Sequence, residues 1–114
     1  MCADYLRDSL HVYIAKDPFF PHNPRQAIIN AFQHADNYFL ETVEKYTRGA
    51  LLDRSGSCAI IAIILDDMCY LVNLGDARAI MSCGNGRYIA ELSNDHNPTN
   101  KAEAKRVIEA GGSI

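Results

Sequence analysis

Residues 58–65 read Cys58-Ala59-Ile60-Ile61-Ala62-Ile63-Ile64-Leu65, eight apolar side chains in a row, four of them isoleucine. Branched side chains at this density favour extended backbone. A continuous apolar run, rather than an alternation, predicts a strand covered on both faces. Downstream, Asp66-Asp67 reads as a tight turn, Met68 to Leu74 as a second strand and Gly75-Asp76 as its break. Arg78 to Cys83 reads as a third strand, Gly84-Asn85-Gly86 as a hairpin turn of residues that tolerate positive φ, and Tyr88 to Leu92 as a fourth strand. Asn100, with Glu103 three residues on, caps a last short helix that closes on Gly111-Gly112.

Upstream of the run the period is helical. Ala3, Leu6, Leu10, Tyr13 and Ile14 share one stripe of a 3.6-residue helix, with Asp4, Arg7, Asp8 and His11 opposite. Asp17-Pro18 ends it, because the residue before proline is pushed out of helical backbone. A stiff connector follows, with Pro18, Pro21 and Pro24 around Phe19-Phe20. Asn23-Pro24 opens a long second helix, with Asn23 as N-cap, proline at the first helical position and Gln26 placed to complete a capping box. Its apolar stripe is Ile28, Ala31, Phe32, Ala35, Phe39, Val43 and Tyr46, and Gly49 is its natural stop. The period changes at Asp53-Arg54-Ser55-Gly56.

The order is helix, long helix, antiparallel meander, short helix, which predicts an α+β layered domain. The chain of 114 residues is one partial domain, with a helix pair over 1–49, antiparallel strands over 57–93 and a short helix over 100–111. Two helices cover only one face of a four-stranded sheet, so the doubly covered 58–65 strand needs a second layer that these residues do not contain.

Composition narrows the function classes. Apolar residues are 48%, charged residues 22% and the formal charge is −3, an ordinary globular balance without the basic footprint of a nucleic-acid binder. No apolar run approaches the ~20 residues of a membrane-spanning helix, and Asp4, Arg7 and Asp8 break any secretory pattern in the first residues. An intracellular location, cytoplasmic or nuclear, is expected, with neither nucleic acid nor membrane as partner. Cys2, Cys58, Cys69 and Cys83 form no Cys-x-x-Cys pair. They read as reduced thiols, although Cys58 and Cys69 could face each other across a hairpin.

Few residues invite chemistry. Asp76, after Gly75 at a strand end, is a carboxylate that could ligate a hard divalent cation or accept bonds from its own turn. Arg78 could hold a phosphate or pair with a nearby carboxylate. Asp95-His96 combines an acid and an imidazole suited to proton transfer, but adjacent side chains seldom aim at one atom, and a turn into the last helix with Asp95 or His96 bonding backbone is the preferred reading. His11, His22 and His34 read as solvated. There is no Walker-type loop and no Gly-x-Ser-x-Gly elbow.

The short motifs gain meaning from their order. Ser55-Gly56-Ser57-Cys58-Ala59, then Asn73-Leu74-Gly75-Asp76-Ala77-Arg78-Ala79, then Leu92-Ser93-Asn94-Asp95-His96-Asn97-Pro98, then Glu103 through Arg106-Val107 to Gly111-Gly112 stand in sequence. This series resembles the metal-dependent serine/threonine protein phosphatases of the PPM type, also called type 2C. Their usual forms are Ser-Gly-Ser-Thr-Ala, Gly-Asp-Ser-Arg, Asp-His-Lys-Pro and a Glu-x-x-Arg helix closing on Gly-Gly. Cys2-Ala3-Asp4-Tyr5-Leu6-Arg7 is similar to the helix that follows the family's Asp-Gly-His-Gly-Gly motif. Three positions depart from the pattern: Cys58 stands for threonine, Ala77 for serine and Asn97 for lysine.

The resemblance implies an α-β-β-α sandwich in which the two helices form one outer layer and the strands belong to the core. It implies hydrolysis of phosphoserine or phosphothreonine in protein substrates, using Mn²⁺ or Mg²⁺ that activates a water. The residues here begin just after the first motif and stop at Ile114, before the later aspartate motifs. The resemblance therefore assigns no catalytic residue in this stretch and offers one metal ligand, Asp76, at a peripheral third-metal position. Gly75, Arg78, Asp95, His96, Gly111 and Gly112 are implied as scaffold of the motifs. On this reading the stretch alone is inactive and binds no metal tightly. The alternative is a non-catalytic truncated protein of the same fold that serves as a binding or regulatory module.

Overall fold

The first helix, α1, spans Cys2–Lys16, and the second, α2, spans Pro24–Thr47. The computed structural model describes residues 1–47 and 54–114, apart from the side chains of residues 46 and 47. The stop at Gly49, the period change from Asp53 and the Tyr46 side chain lie outside the described residues. The chain divides into two units, Met1–Ser57 and Cys58–Ile114.

In the first unit α1 packs on α2. Leu10 and Ile14 of α1 and Ala27, Ile28, Ala31, Ala35 and Val43 of α2 are buried. Ala27, Ala31 and Ala35 recur every fourth residue, and with no side chain beyond Cβ they let the helices approach closely. Covering Leu10, Ile14 and Ile28 contributes about 2 kcal/mol each. Ala3, placed on the α1 stripe by periodicity, is exposed, and Tyr5 takes the inward role instead. Its hydroxyl donates to the Ala35 carbonyl at 3.3 Å and lies 3.2 Å from the Tyr13 hydroxyl, while its ring packs 5.5 Å from Phe39 and 6.0 Å from Tyr38. Burial and the Tyr13 hydroxyl push the Tyr5 phenol well above its ordinary range. His34 is exposed as expected but not merely solvated, since its ring stands edge-on to Tyr13 at 4.5 Å.

The α2 N-terminus uses half of the predicted capping box. Asn23 Oδ1 accepts from the Gln26 amide at 3.2 Å, but the Gln26 side chain donates to Asn30 Oδ1 and the Asn23 amide is given to the Phe19 carbonyl. Asp17, which ends α1, accepts from the Phe19 amide and from Asn30 Nδ2, tying the proline connector to α2.

The second unit contains β1 (Ala59–Leu65), β2 (Met68–Leu74), β3 (Ile80–Cys83), β4 (Tyr88–Glu91) and α3 (Lys101–Glu109). Helices and antiparallel strands together make an α+β fold. The strands do not form one four-stranded meander. They form two separate hairpins, β1-β2 with register Ala59↔Leu74 to Leu65↔Met68, and β3-β4 with register Ile80↔Glu91 to Cys83↔Tyr88. The reason lies after β2. Gly75 turns at φ 99, and the groups at the end of β2 bond residues 94–96 rather than β3. Asp66 (φ 50) and Asn85 (φ 56) take the left-handed backbone that each hairpin turn needs, a conformation short polar residues tolerate.

The register settles the cysteines. Cys69 lies opposite Ile64, and continuing the ladder by one residue places Cys58 opposite Gly75. Cys58 is then six positions along the strand from Ile64, Cys69's partner, about 20 Å at strand rise. A disulfide needs Cα atoms within about 7 Å, and none of the four cysteines is in one.

The two faces of β1 differ in cover within these residues. Ala59, Ile61, Ile63 and Leu65 are half-buried, whereas Ile60 is 41% and Ile64 75% exposed. A two-stranded hairpin has too few neighbours to cover a second face. Among the described residues, every buried side chain lies in the helix pair.

Candidate functional site

The turn after β2 and the segment after β4 form one bonded unit. His96 grips Gly75 twice: its amide donates to the Gly75 carbonyl at 2.9 Å, and its Nδ1 accepts from the Gly75 amide at 3.2 Å. An accepting Nδ1 places the proton of the neutral ring on Nε2. Asn73 Nδ2 bridges the Gly75 carbonyl (3.1 Å) and the Asn94 carbonyl (3.0 Å). Arg78 forks onto Asp95, Nε to Oδ1 at 3.2 Å and Nη2 to Oδ2 at 2.5 Å, and Ser93 Oγ accepts from the Ala79 amide at 2.8 Å. Asp95 and His96 thus serve different partners and do not act as an acid–imidazole pair.

The fork sets the electrostatics. Hydrogen bonds from Arg78 hold the Asp95 carboxyl below the usual carboxylate range, against partial desolvation, and the Arg78 guanidinium is raised in return. An open polar groove of about 310 Å³ runs beside this pair, lined also by Glu91, Asn94, Asn97 and Asn100. With Arg78 already neutralised by Asp95 and a further carboxylate at Glu91, the groove has little to attract a phosphate.

Asp76 is exposed on the same turn, and its Oδ1 accepts from Cys58 Sγ at 3.1 Å. The close approach explains Gly75. A Cβ there would stand 2.4 Å from Cys58 Sγ, and φ is already +99. Among the described residues no three His, Cys, Asp or Glu side chains stand together as a metal-holding group. Asp76 thus has Cys58 as a side-chain partner, and no second carboxylate is grouped with it among the described residues.

The last motif is a helix with a defined end. Asn100 Oδ1 accepts from the Ala102 amide at 3.0 Å. Glu103 was placed to complete the cap from position alone; its carboxylate instead takes both Nε and Nη2 of Arg106, which holds the Glu103 carboxyl below its usual range. At the other end the Gly112 amide bonds the Val107 carbonyl and the Gly111 amide bonds the Ile108 carbonyl, the crossed pair of a Schellman stop. Gly111 has φ +84, and a Cβ on Gly112 would stand 2.7 Å from Val107 Cγ1.

Sequence reading named Gly75, Asp76, Arg78, Asp95 and His96, and the structure brings these five into one turn-to-turn cluster. Gly111 and Gly112 stop α3. It missed three participants, Asn73, Ser93 and Cys58. Asn73 and Ser93 carry no spacing signal, and Cys58 was legible as a strand residue, a thiol and a departure from threonine but not as a partner of Asp76. Among the described residues no helix is long and apolar enough to cross a membrane.

Comparison with known proteins agrees with the motif order. A family model described as Protein phosphatase 2C matches residues 1–114. Probable protein phosphatase 2C 52 of Oryza sativa subsp. japonica is 36% identical over 112 residues, covering 98% of this chain and 21% of the relative. Probable protein phosphatase 2C 69 of Arabidopsis thaliana is 34% identical, covering 98% and 30%, and Probable protein phosphatase 2C 45 of Oryza sativa subsp. japonica is 32% identical, covering 98% and 37%. The chain spans between about a fifth and two fifths of the length of these relatives. With its four motifs in order, a family match over its whole length and relatives above 30% identity, the chain belongs to the protein phosphatase 2C family.

Proposed function

We propose that this chain is part of a protein serine/threonine phosphatase that hydrolyses phosphoserine and phosphothreonine monoesters with Mn²⁺ or Mg²⁺, acting on phosphorylated proteins inside the cell. Its residues supply scaffold and one peripheral ligand, Asp76, and do not turn over substrate by themselves. The observation that carries the reading is the joining of two motifs some twenty residues apart: His96 on Gly75 and Asp95 on Arg78 fix the turn from which Asp76 projects. A carboxylate on an over-determined turn is suited to hold one fixed position beside a cation.

A chimera tests this. The matching stretch of the rice relative Probable protein phosphatase 2C 52 is replaced by these 114 residues, with the unaltered relative as positive control. The expected result is Mn²⁺-dependent hydrolysis of a phosphothreonine peptide that Asp76→Ala diminishes. A chimera that unfolds with the relative's cooperative thermal transition yet shows no hydrolysis, while the relative does, contradicts the reading.

A further inference from the structure

We propose that Cys58 is a positioning residue for Asp76, its thiol selecting the rotamer in which the carboxylate is presented. Asp76 matters to a cation only on the phosphatase reading above; the geometry of the pair stands apart from it.

Three observations converge. Cys58 Sγ donates to Asp76 Oδ1 at 3.1 Å, a bond made stronger than a neutral thiol contact by the charge on the acceptor. Gly75 leaves room for the sulfur, since any Cβ there would lie 2.4 Å from Sγ. The backbone beside Asp76 cannot swing, because His96 holds both the amide and the carbonyl of Gly75. A backbone held at Gly75 leaves the exposed Asp76 side chain two torsions, about Cα–Cβ and Cβ–Cγ, and the thiol bond to Oδ1 selects among the rotamers about the first. With Oδ1 so engaged, Oδ2 is the oxygen Asp76 can offer a cation in one-point contact.

The test reads the rotamer by nuclear magnetic resonance on the 114-residue chain without metal, from the three-bond couplings between the Asp76 α and β protons. In the unaltered chain one large and one small coupling are expected, the mark of a single rotamer. Cys58→Ala should bring the two couplings to similar averaged values, and Cys58→Ser, which restores a donor, should separate them again. If Cys58→Ala loses the β1-β2 amide pattern, Cys58→Val takes its place, filling the volume without donating. Averaged couplings in the unaltered chain overturn the proposal however the variants fold, and so does a donor-free variant that keeps the single rotamer. Neither result touches the chimera, so failure of the positioning role and failure of the phosphatase reading are distinguishable.

Discussion

Gly111 and Gly112 end the same helix for different physical reasons, and substitution separates them. At Gly111 an added Cβ meets nothing within 4 Å, so Gly111→Ala suffers only the left-handed backbone at φ +84, about 1 kcal/mol. At Gly112 the Cβ would lie 2.7 Å from Val107 Cγ1 and 3.0 Å from the Val107 carbonyl oxygen, and the backbone atom cannot yield cheaply. Gly112→Ala should therefore open α3 by about 2 kcal/mol, in the range of overpacking. Amide exchange across α3 measures both, and equal costs at the two positions would contradict this account. Residue roles of this kind are partly legible in sequence. Gly111-Gly112 after an amphipathic helix signals a stop, and Gly75-Asp76 after a strand signals a turn. What Cys58 touches is not legible, because a contact across 18 positions leaves no mark on local spacing.

Elements were read at unequal depth. The two helices announce themselves through an apolar stripe and a proline boundary, and α2 begins at Pro24 with Asn23 as its cap. The reciprocal halves of both capping boxes fail because Gln26 and Glu103 have nearer partners, Asn30 and Arg106. Strands and turns were also visible, but their assembly was not. Hydrophobic period fixes which residues extend, whereas the split into two hairpins depends on which segment bonds the end of β2, a long-range choice made by Asn94 and His96. Two ion pairs, one joining the turn after β2 to the segment after β4 and one within α3, predict a pH response. Arg78 holds Asp95 and Arg106 holds Glu103 below the usual carboxylate range, so each folded value lies under its unfolded one. Their contribution is complete above about pH 5, clear of the unfolded values, and is lost as pH falls through the lower folded values. Helical signal and thermal midpoint should decline below about pH 5, by less in the Asp95→Asn, Glu103→Gln double variant and by less in high salt, since both guanidinium groups face water. An identical acid decline in the double variant would contradict this origin.

At the scale of the whole molecule, the buried core belongs to the helix pair, while the 58–114 unit rests on hairpin bonds, turn-to-turn bonds and half-covered strands. Ile60 and Ile64 leave an apolar strip in an uncharged, proline-free segment, the pattern that favours intermolecular strand pairing. Ile64→Lys should raise the concentration at which the chain self-associates, read by light scattering; an unchanged or lower threshold would show that the strip does not drive association. On the proposed function, Asp76 would be one ligand of a centre that these residues alone do not complete. The direct measurement is hydrolysis of a phosphothreonine peptide by the 114-residue chain with millimolar Mn²⁺, beside Asp76→Ala. No Mn²⁺-dependent hydrolysis is expected from either protein. Turnover by the unaltered chain that Asp76→Ala abolishes would contradict the account, because a working metal centre would then be assembled from these residues alone.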